Sequence, residues 1–369
     1  MKHWGKALIG VAVTVALLWW ALAGVSVSEV WANVRRGDPL LLGAAVFVAT
    51  FGFVVRAMRW RIFLVPVHPG TSLRSRFAAV AIHFMANNLL PLRVGEFARA
   101  LVFSRLEPVK ASAAFGTVVV ERFMDGVVLL IFLVLPVLTP DFPDVGTLSE
   151  GMGGVVLRAA ALGVLLVLAA LIALAAFPRQ LTRIAERIAP ILPAAIRDPV
   201  LYSLASFLDS LAIMRDPKLL ALGFTWSLGF WALQAASFWL GMMAFGIDTG
   251  YVSAVFTSSV VAFGVALPSA PGFVGTFHFA ADFALSDVYG VSDAQSLAFA
   301  FGYHFGGWLP ITVIGLVYLW RLGISLGDVG AAEERLEEGG TGRSAPEASG
   351  PRVEGPPEEA SRLARDHPS

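Results

Sequence analysis

The stretch Asn87-Asn88-Leu89-Leu90-Pro91-Leu92-Arg93-Val94-Gly95-Glu96-Phe97-Ala98-Arg99 cuts an otherwise apolar run with a proline, a glycine and the charged residues Arg93, Glu96 and Arg99. Pro91 lacks a backbone donor and clashes with the turn before it, while Gly95 accepts dihedrals that other residues avoid, so a helix entering here breaks. The apolar arms on either side, within residues 77 to 106, are each shorter than the roughly 20 residues that cross a bilayer. Unwound backbone at membrane depth is tolerated only where protein covers it or where it lines a cavity. The segment therefore reads as a re-entrant hairpin packed among full spans.

The rest of the chain supplies those spans. Its 369 residues are 57% hydrophobic and 15% charged, with a mean hydropathy of +0.73, whereas soluble domains carry about 25% charged residues. Full spans are predicted at Leu40 to Leu64, Ala111 to Leu138, Val155 to Phe177, Leu219 to Phe245 and Ala294 to Trp320, with a shorter sixth at Ala7 to Ala23. A cleaved signal peptide is the alternative for that sixth segment, which ends in Ala21-Leu22-Ala23. Residues 251 to 289 contain Leu267-Pro268-Ser269-Ala270-Pro271-Gly272-Phe273, and like Leu90 to Gly95 this reads Leu-Pro, three residues, Gly. Helix breaks are expected at Pro91 and Gly95 and again at Pro268, Pro271 and Gly272. Two tilted spans joined inside are the alternative for 251 to 289.

Lys and Arg concentrate in short cytoplasmic loops. Arg56, Arg59, Arg61, Arg74 and Arg76 cluster at the end of the second span, and Arg179 to Lys218 fill the central loop. The connection around Asp141, Asp144 and Glu150 has no base, nor has the chain between Lys218 and Arg321. The expected fold is an all-α polytopic membrane protein of about six full transmembrane helices plus two re-entrant broken-helix hairpins in an inverted repeat. It sits in a prokaryotic cell (inner) membrane with both termini cytoplasmic. Residues 1–324 form this domain. Residues 325–369 read as a disordered acidic tail, because ten acids face five arginines among Gly, Pro and Ser, with almost no large apolar residues.

Several chemistries fall away. No cysteine is present, which excludes disulfides and thiolate metal sites. No P-loop, GxGxxG or HExxH spacing occurs, so no cofactor or metal is expected. The basic excess of the body is too diffuse for nucleic acid.

Charges inside the apolar body carry the candidate site, since one near the bilayer centre costs about 2.5–3.5 kcal/mol on insertion scales. The next span carries Glu121, Arg122 and Asp125 within an apolar run. Glu96 and Arg99 are three apart and Glu121 and Asp125 four apart, so each pair shares a helical face. The two acids beside Arg122 are expected to hold the hairpin arginines, leaving Arg93 and Arg99 to present planar forks to a phosphate. Fold-stabilising pairing and interfacial snorkelling are the alternatives. Arg56, Arg59 and Arg61 fit the positive-inside pattern, with Arg59 also placed to recruit a headgroup. Asn87 shares a face with His83, and His278 shares one with Asp282, a spacing open to proton relay or simple interhelical bonding.

Together Arg56-x-x-Arg59-Trp60, Asn87 to Arg99, Glu121-Arg122-x-x-Asp125 and Pro268-x-x-Pro271-Gly272 resemble the flippase-like transmembrane region of lysylphosphatidylglycerol synthases (multiple peptide resistance factor) in a stand-alone form. The resemblance covers about residues 5 to 322. It implies translocation of a phospholipid, or of a polyprenyl-phosphate-linked lipid, between leaflets, and it argues against synthase activity because the chain carries no soluble catalytic domain. It also implies an anionic-headgroup lipid and lipid-modifying or glycan-assembly enzymes as partners. A non-transporting accessory subunit or a membrane-embedded transferase is the rival class.

Overall fold

The computed structural model describes residues 2–140, 142–143, 216–266 and 269–332, with isolated positions at 162, 166, 183 and 187. The span expected at Val155 to Phe177, the central basic loop to Arg215, the break at Pro268 and the tail beyond 332 lie outside the described residues. Among the described residues every regular element is helical, and the protein is an all-α polytopic membrane protein.

Two long helices start alike. In α3 (Pro39–Leu64) the Asp38 carboxylate accepts the amides of Leu40 and Leu41 at 2.8 and 3.1 Å, and in α7 (Pro217–Ala244) the Asp216 carboxylate accepts those of Lys218 and Leu219 at 2.9 and 3.2 Å. An N-cap acid before proline at the first helical position satisfies donors the helix cannot satisfy itself. Together with α10 (Asp293–Arg321), these are, among the described residues, the helices long and apolar enough to cross a membrane. α6 (Ala111–Val137) has 27 residues but carries Glu121, Arg122 and Asp125 around its middle. α1 (Lys2–Leu22) meets α2 (Val27–Arg36) at a bend of 84°. α2, amphipathic with Val30 buried and Trp31 exposed, is an element the composition of that connection did not disclose.

Two broken hairpins lie between these long helices. The first runs α4 (Leu73–Leu89), a 3-10 turn at Pro91–Arg93, then α5 (Gly95–Leu106). The second runs α8 (Gly250–Gly264), a 3-10 turn at Pro271–Phe273, then α9 (Thr276–Asp282), which continues as a π-helical turn to Val288. The repeat is there, but its register differs from the expected one. Pro91 corresponds to Pro271 rather than to Pro268, and both turns read Pro, two residues, Val, Gly: Pro91 to Gly95 and Pro271 to Gly275. Gly95 opens α5 where a Cβ would meet the His83 carbonyl at 2.2 Å, so only glycine fits. Gly272 takes φ 71° inside its turn.

Packing follows the exchange that a two-fold relation demands. α3 lies against α7, α4 of the first hairpin against α10 of the second half, and α8 of the second hairpin against α6 of the first. Glycines permit the central approach, with Gly223 of α7 against the Phe63 ring and Gly52 of α3 against Gln234. Each hairpin has its own apolar cluster, around Trp60, Phe63, Met85 and Phe103 in one and around Phe238, Phe256, Phe277 and Phe299 in the other. Within the residues expected as tail, α11 (Leu326–Gly330) is capped by Ser325 and Asp328 and buries Val329 against the first hairpin's cluster.

Candidate functional site

Three helices bring their charges to one point. Arg56 and Arg59 lie three apart on α3, Arg99 on α5, and Glu121 and Asp125 four apart on α6, which puts each pair on one helical face. Glu121 is the hub. Its Oε1 receives Arg56 Nη1 at 2.8 Å and Arg59 Nη2 at 2.9 Å, and Arg99 grips both oxygens through Nη2 at 2.7 Å and Nη1 at 3.2 Å. Asp125 receives Arg59 Nη1 at 2.6 Å, Arg56 Nη1 at 3.3 Å and the Trp231 indole N–H at 2.9 Å. Arg59 also donates to the Ser227 hydroxyl at 3.0 Å, tying the cluster to α7.

Aromatic faces enclose these cations. The Arg99 guanidinium stands 3.8 Å from the Trp60 ring centroid, and Arg56 and Arg59 stand 4.5 and 5.0 Å from that of Phe230. Trp60 is itself fixed by its N–H on Thr117 at 2.9 Å. Ring quadrupoles favour cations, and the low dielectric strengthens every pair within.

The charges do not balance. Arg56, Arg59 and Arg99 are opposed by Glu121 and Asp125, which leaves one positive charge in excess among groups at most 4% exposed. Arg122 adds a second; it is 38% exposed and sits 3.7 Å from Glu121 and 3.6 Å from Asp125, too far for hydrogen bonds. Several buried N–H groups also find no acceptor among the described residues: Nε of Arg56, Arg59, Arg99 and Arg122, and Nη2 of Arg122.

The expected site is thereby partly redrawn. Arg59, Arg99, Glu121, Arg122 and Asp125 meet, but Arg99 does not offer its fork to a ligand, because Glu121 occupies it. Arg56, assigned by sequence to the positive-inside pattern, is buried at the centre. Its three-residue spacing from Arg59 puts both on one helical face, as the four-residue spacing does for Glu121 and Asp125, and that was the available signal. Trp231 and Ser227 are separated from the cluster by over a hundred residues, and nothing local marks them.

Arg93 stands apart at the hairpin tip, over the Phe273 ring at 5.2 Å. Glu96 lies near His83 at 3.8 Å and near the Asn87 amide at 3.4 Å, outside the cluster. Asn87 accepts the Gly95 amide at 2.9 Å and so staples the break. His278 accepts the Gly275 amide at 3.4 Å and neighbours His304, whereas Asp282 bonds Ser296, so this His and acid do not pair.

The sequence family described as Lysylphosphatidylglycerol synthase TM region matches residues 7–315. A UPF0104 membrane protein of Pyrococcus horikoshii is 27% identical over 138 residues, covering 37% of this chain and 40% of that protein. No solved structure matches.

Proposed function

We propose, because the chain belongs to the lysylphosphatidylglycerol synthase transmembrane-region family, that it is a lipid translocase (flippase). It moves a phospholipid or a polyprenyl-phosphate-linked lipid between leaflets, and arginines of the first broken hairpin and of the helices packed against it attract the headgroup phosphate. The observation that carries this reading is the uncompensated positive charge of the buried cluster, which a phosphate monoanion or diester neutralises in part or in full.

Roles divide by exposure. Arg56, Arg59 and Arg99 are clamped by Glu121 and Asp125 and act as a fixed positive field that costs no reorganisation when the anion arrives. Arg122 and Arg93 are the partly exposed cations, and neither gives up a hydrogen-bonded ion pair to engage a phosphate. Unwound backbone at Pro91–Arg93 and Pro271–Phe273 supplies the non-helical path that transporters use at matched breaks.

The basic loops support an approach from the cytoplasmic side of a prokaryotic cell membrane. The second hairpin has no Lys or Arg, so its hold on an anion is weaker and movement runs outward. Enzymes that modify such a lipid, or that assemble glycans on it, are the fitting partners. No residue is assigned a catalytic role.

Reconstitution tests this. Vesicles holding the full chain and a tail-labelled phosphatidylglycerol analogue are quenched from outside, and the rate at which protected lipid becomes accessible is recorded. The parent is expected to exceed protein-free vesicles, and Arg122→Gln to fall at least about tenfold, the factor that 1.4 kcal/mol of lost charge-assisted contact gives. Equal rates in parent and empty vesicles refute translocation.

A further inference from the structure

Among the described residues, Arg93 (φ 55°) and Phe273 (φ 59°) are the non-glycine residues with positive φ. They occupy the same position in the two hairpins: last in the 3-10 turn, followed by Val and then Gly. Left-handed backbone is disfavoured wherever a Cβ is present, and it persists where the surroundings impose it, often at gates and ligand clamps. These two residues also touch, with the Arg93 guanidinium carbon 5.2 Å from the Phe273 ring centroid.

The two sides of this contact are held differently. The second hairpin's turn is pinned by Thr14 of α1, whose hydroxyl donates to the Val274 carbonyl at 2.9 Å and accepts the Ala270 amide at 3.0 Å. Trp308 and the Asn88 carbonyl crowd the same turn at Gly272. Arg93 is only half-buried, makes no ion pair among the described residues, and leaves its buried Nε without an acceptor.

We infer that the Arg93–Phe273 contact is the closed gate between the hairpins, and that Phe273 is a positioning residue which parks the guanidinium until an anionic headgroup withdraws it. The inference rests on the proposed phosphate path. A ring face is a weak partner for a guanidinium and a phosphate a strong one, so the anion's arrival takes Arg93 off the ring and frees the turns to part. Because the position equivalent to Arg93 holds a ring and not a second cation, a passing phosphate meets a single cation at the junction and is not trapped there.

The chain has no cysteine, so Val94→Cys, next to Arg93 and 5% exposed in the parent, is a clean reporter. The full chain with this reporter is reconstituted in phosphatidylcholine vesicles, with or without phosphatidylglycerol, and its reaction with a maleimide is timed. Added phosphatidylglycerol is expected to speed labelling about fivefold, the factor that follows from losing about 1 kcal/mol of cation–π attraction. Phe273→Leu in the same background is expected to label fast in phosphatidylcholine alone and to gain nothing from the anionic lipid, whereas Phe273→Tyr, which keeps the ring, follows the parent.

The gate is overturned if phosphatidylglycerol leaves the Val94→Cys rate unchanged, a result that needs no substitution at 273, or if Phe273→Leu labels like Phe273→Tyr. Lipid crossing measured on the same vesicles separates the two proposals. Crossing without any change in labelling overturns the gate and leaves translocation standing, while the expected labelling without crossing supports the gate and overturns translocation.

Discussion

Glu121→Gln leaves the shape of the buried cluster nearly intact and removes its hub. The carboxylate takes Arg56 at 2.8 Å, Arg59 at 2.9 Å and Arg99 at 2.7 and 3.2 Å, with side-chain exposures of 4% or less throughout. With an amide there, Asp125 alone faces three buried guanidinium groups, and the positive excess among the fully buried groups rises from one to two. Removing one partner of a buried ion pair costs about 3–5 kcal/mol, because the other charge stays desolvated. Arg99 is then left with no acid while Arg56 and Arg59 share Asp125, so the loss belongs at the top of that range, about 5 kcal/mol.

Thermal unfolding in detergent, followed by tryptophan fluorescence, reads this loss. At roughly 2–4 °C per kcal/mol for a chain of this order of size, the midpoint is expected to drop by about 10–20 °C. Adding Arg99→Gln removes one orphaned cation, and the double variant is expected to recover about 0.5–3 kcal/mol of coupling. If Glu121→Gln melts within about 2 °C of the parent, the cluster does not hold the three helices together and the reasoning fails.

Arg122→Gln is expected to shift stability by no more than about 1 kcal/mol, since its 38% exposed side chain forms only long contacts; the same melt measures it, and its transport defect then reports function alone. Gly95→Ala forces a Cβ to 2.2 Å from the His83 carbonyl and is expected to cost more than about 4 kcal/mol, whereas Gly229→Ala in α7 meets nothing within 4 Å and gains up to about 1 kcal/mol. Folded yield of the two alanine variants after membrane extraction gives the comparison. Thr14→Val removes both bonds to the second hairpin's turn and is expected to cost about 1–3 kcal/mol, read as faster proteolysis of α1 against an unchanged first hairpin.

The long helices were legible because lipid leaves one pattern to find, and Leu40 to Leu64 and Ala294 to Trp320 lie within α3 and α10. The hairpins were legible because breakers inside apolar runs have few explanations. Their register was not, since Leu-Pro-x-x-x-Gly and Pro-x-x-Val-Gly overlap in the second hairpin, and only the backbone conformation at Arg93 and Phe273 selects between them. Asp38-Pro39 and Asp216-Pro217 marked the same repeat a second way.

In the site, i and i+4 spacing paired Glu121 with Asp125, but side-chain reach across helices decided which arginines they bind. Arg56 was lost to the positive-inside rule because a basic residue near a helix end looks the same in sequence whether it snorkels or turns inward. Phe273 carried no charge to attract notice. Its importance comes from facing Arg93 across the chain.

The headgroup dependence of crossing goes to the heart of the matter. In vesicles containing the full chain, a tail-labelled phosphatidylglycerol and a tail-labelled diacylglycerol of the same acyl length are compared, each corrected for its rate in protein-free vesicles. A cluster that works by its uncompensated positive charge accelerates the phosphate-bearing lipid, leaves the uncharged one at its background rate, and loses the difference in Arg122→Gln. Equal acceleration of both lipids, or a preference that survives Arg122→Gln, contradicts a phosphate path through these arginines.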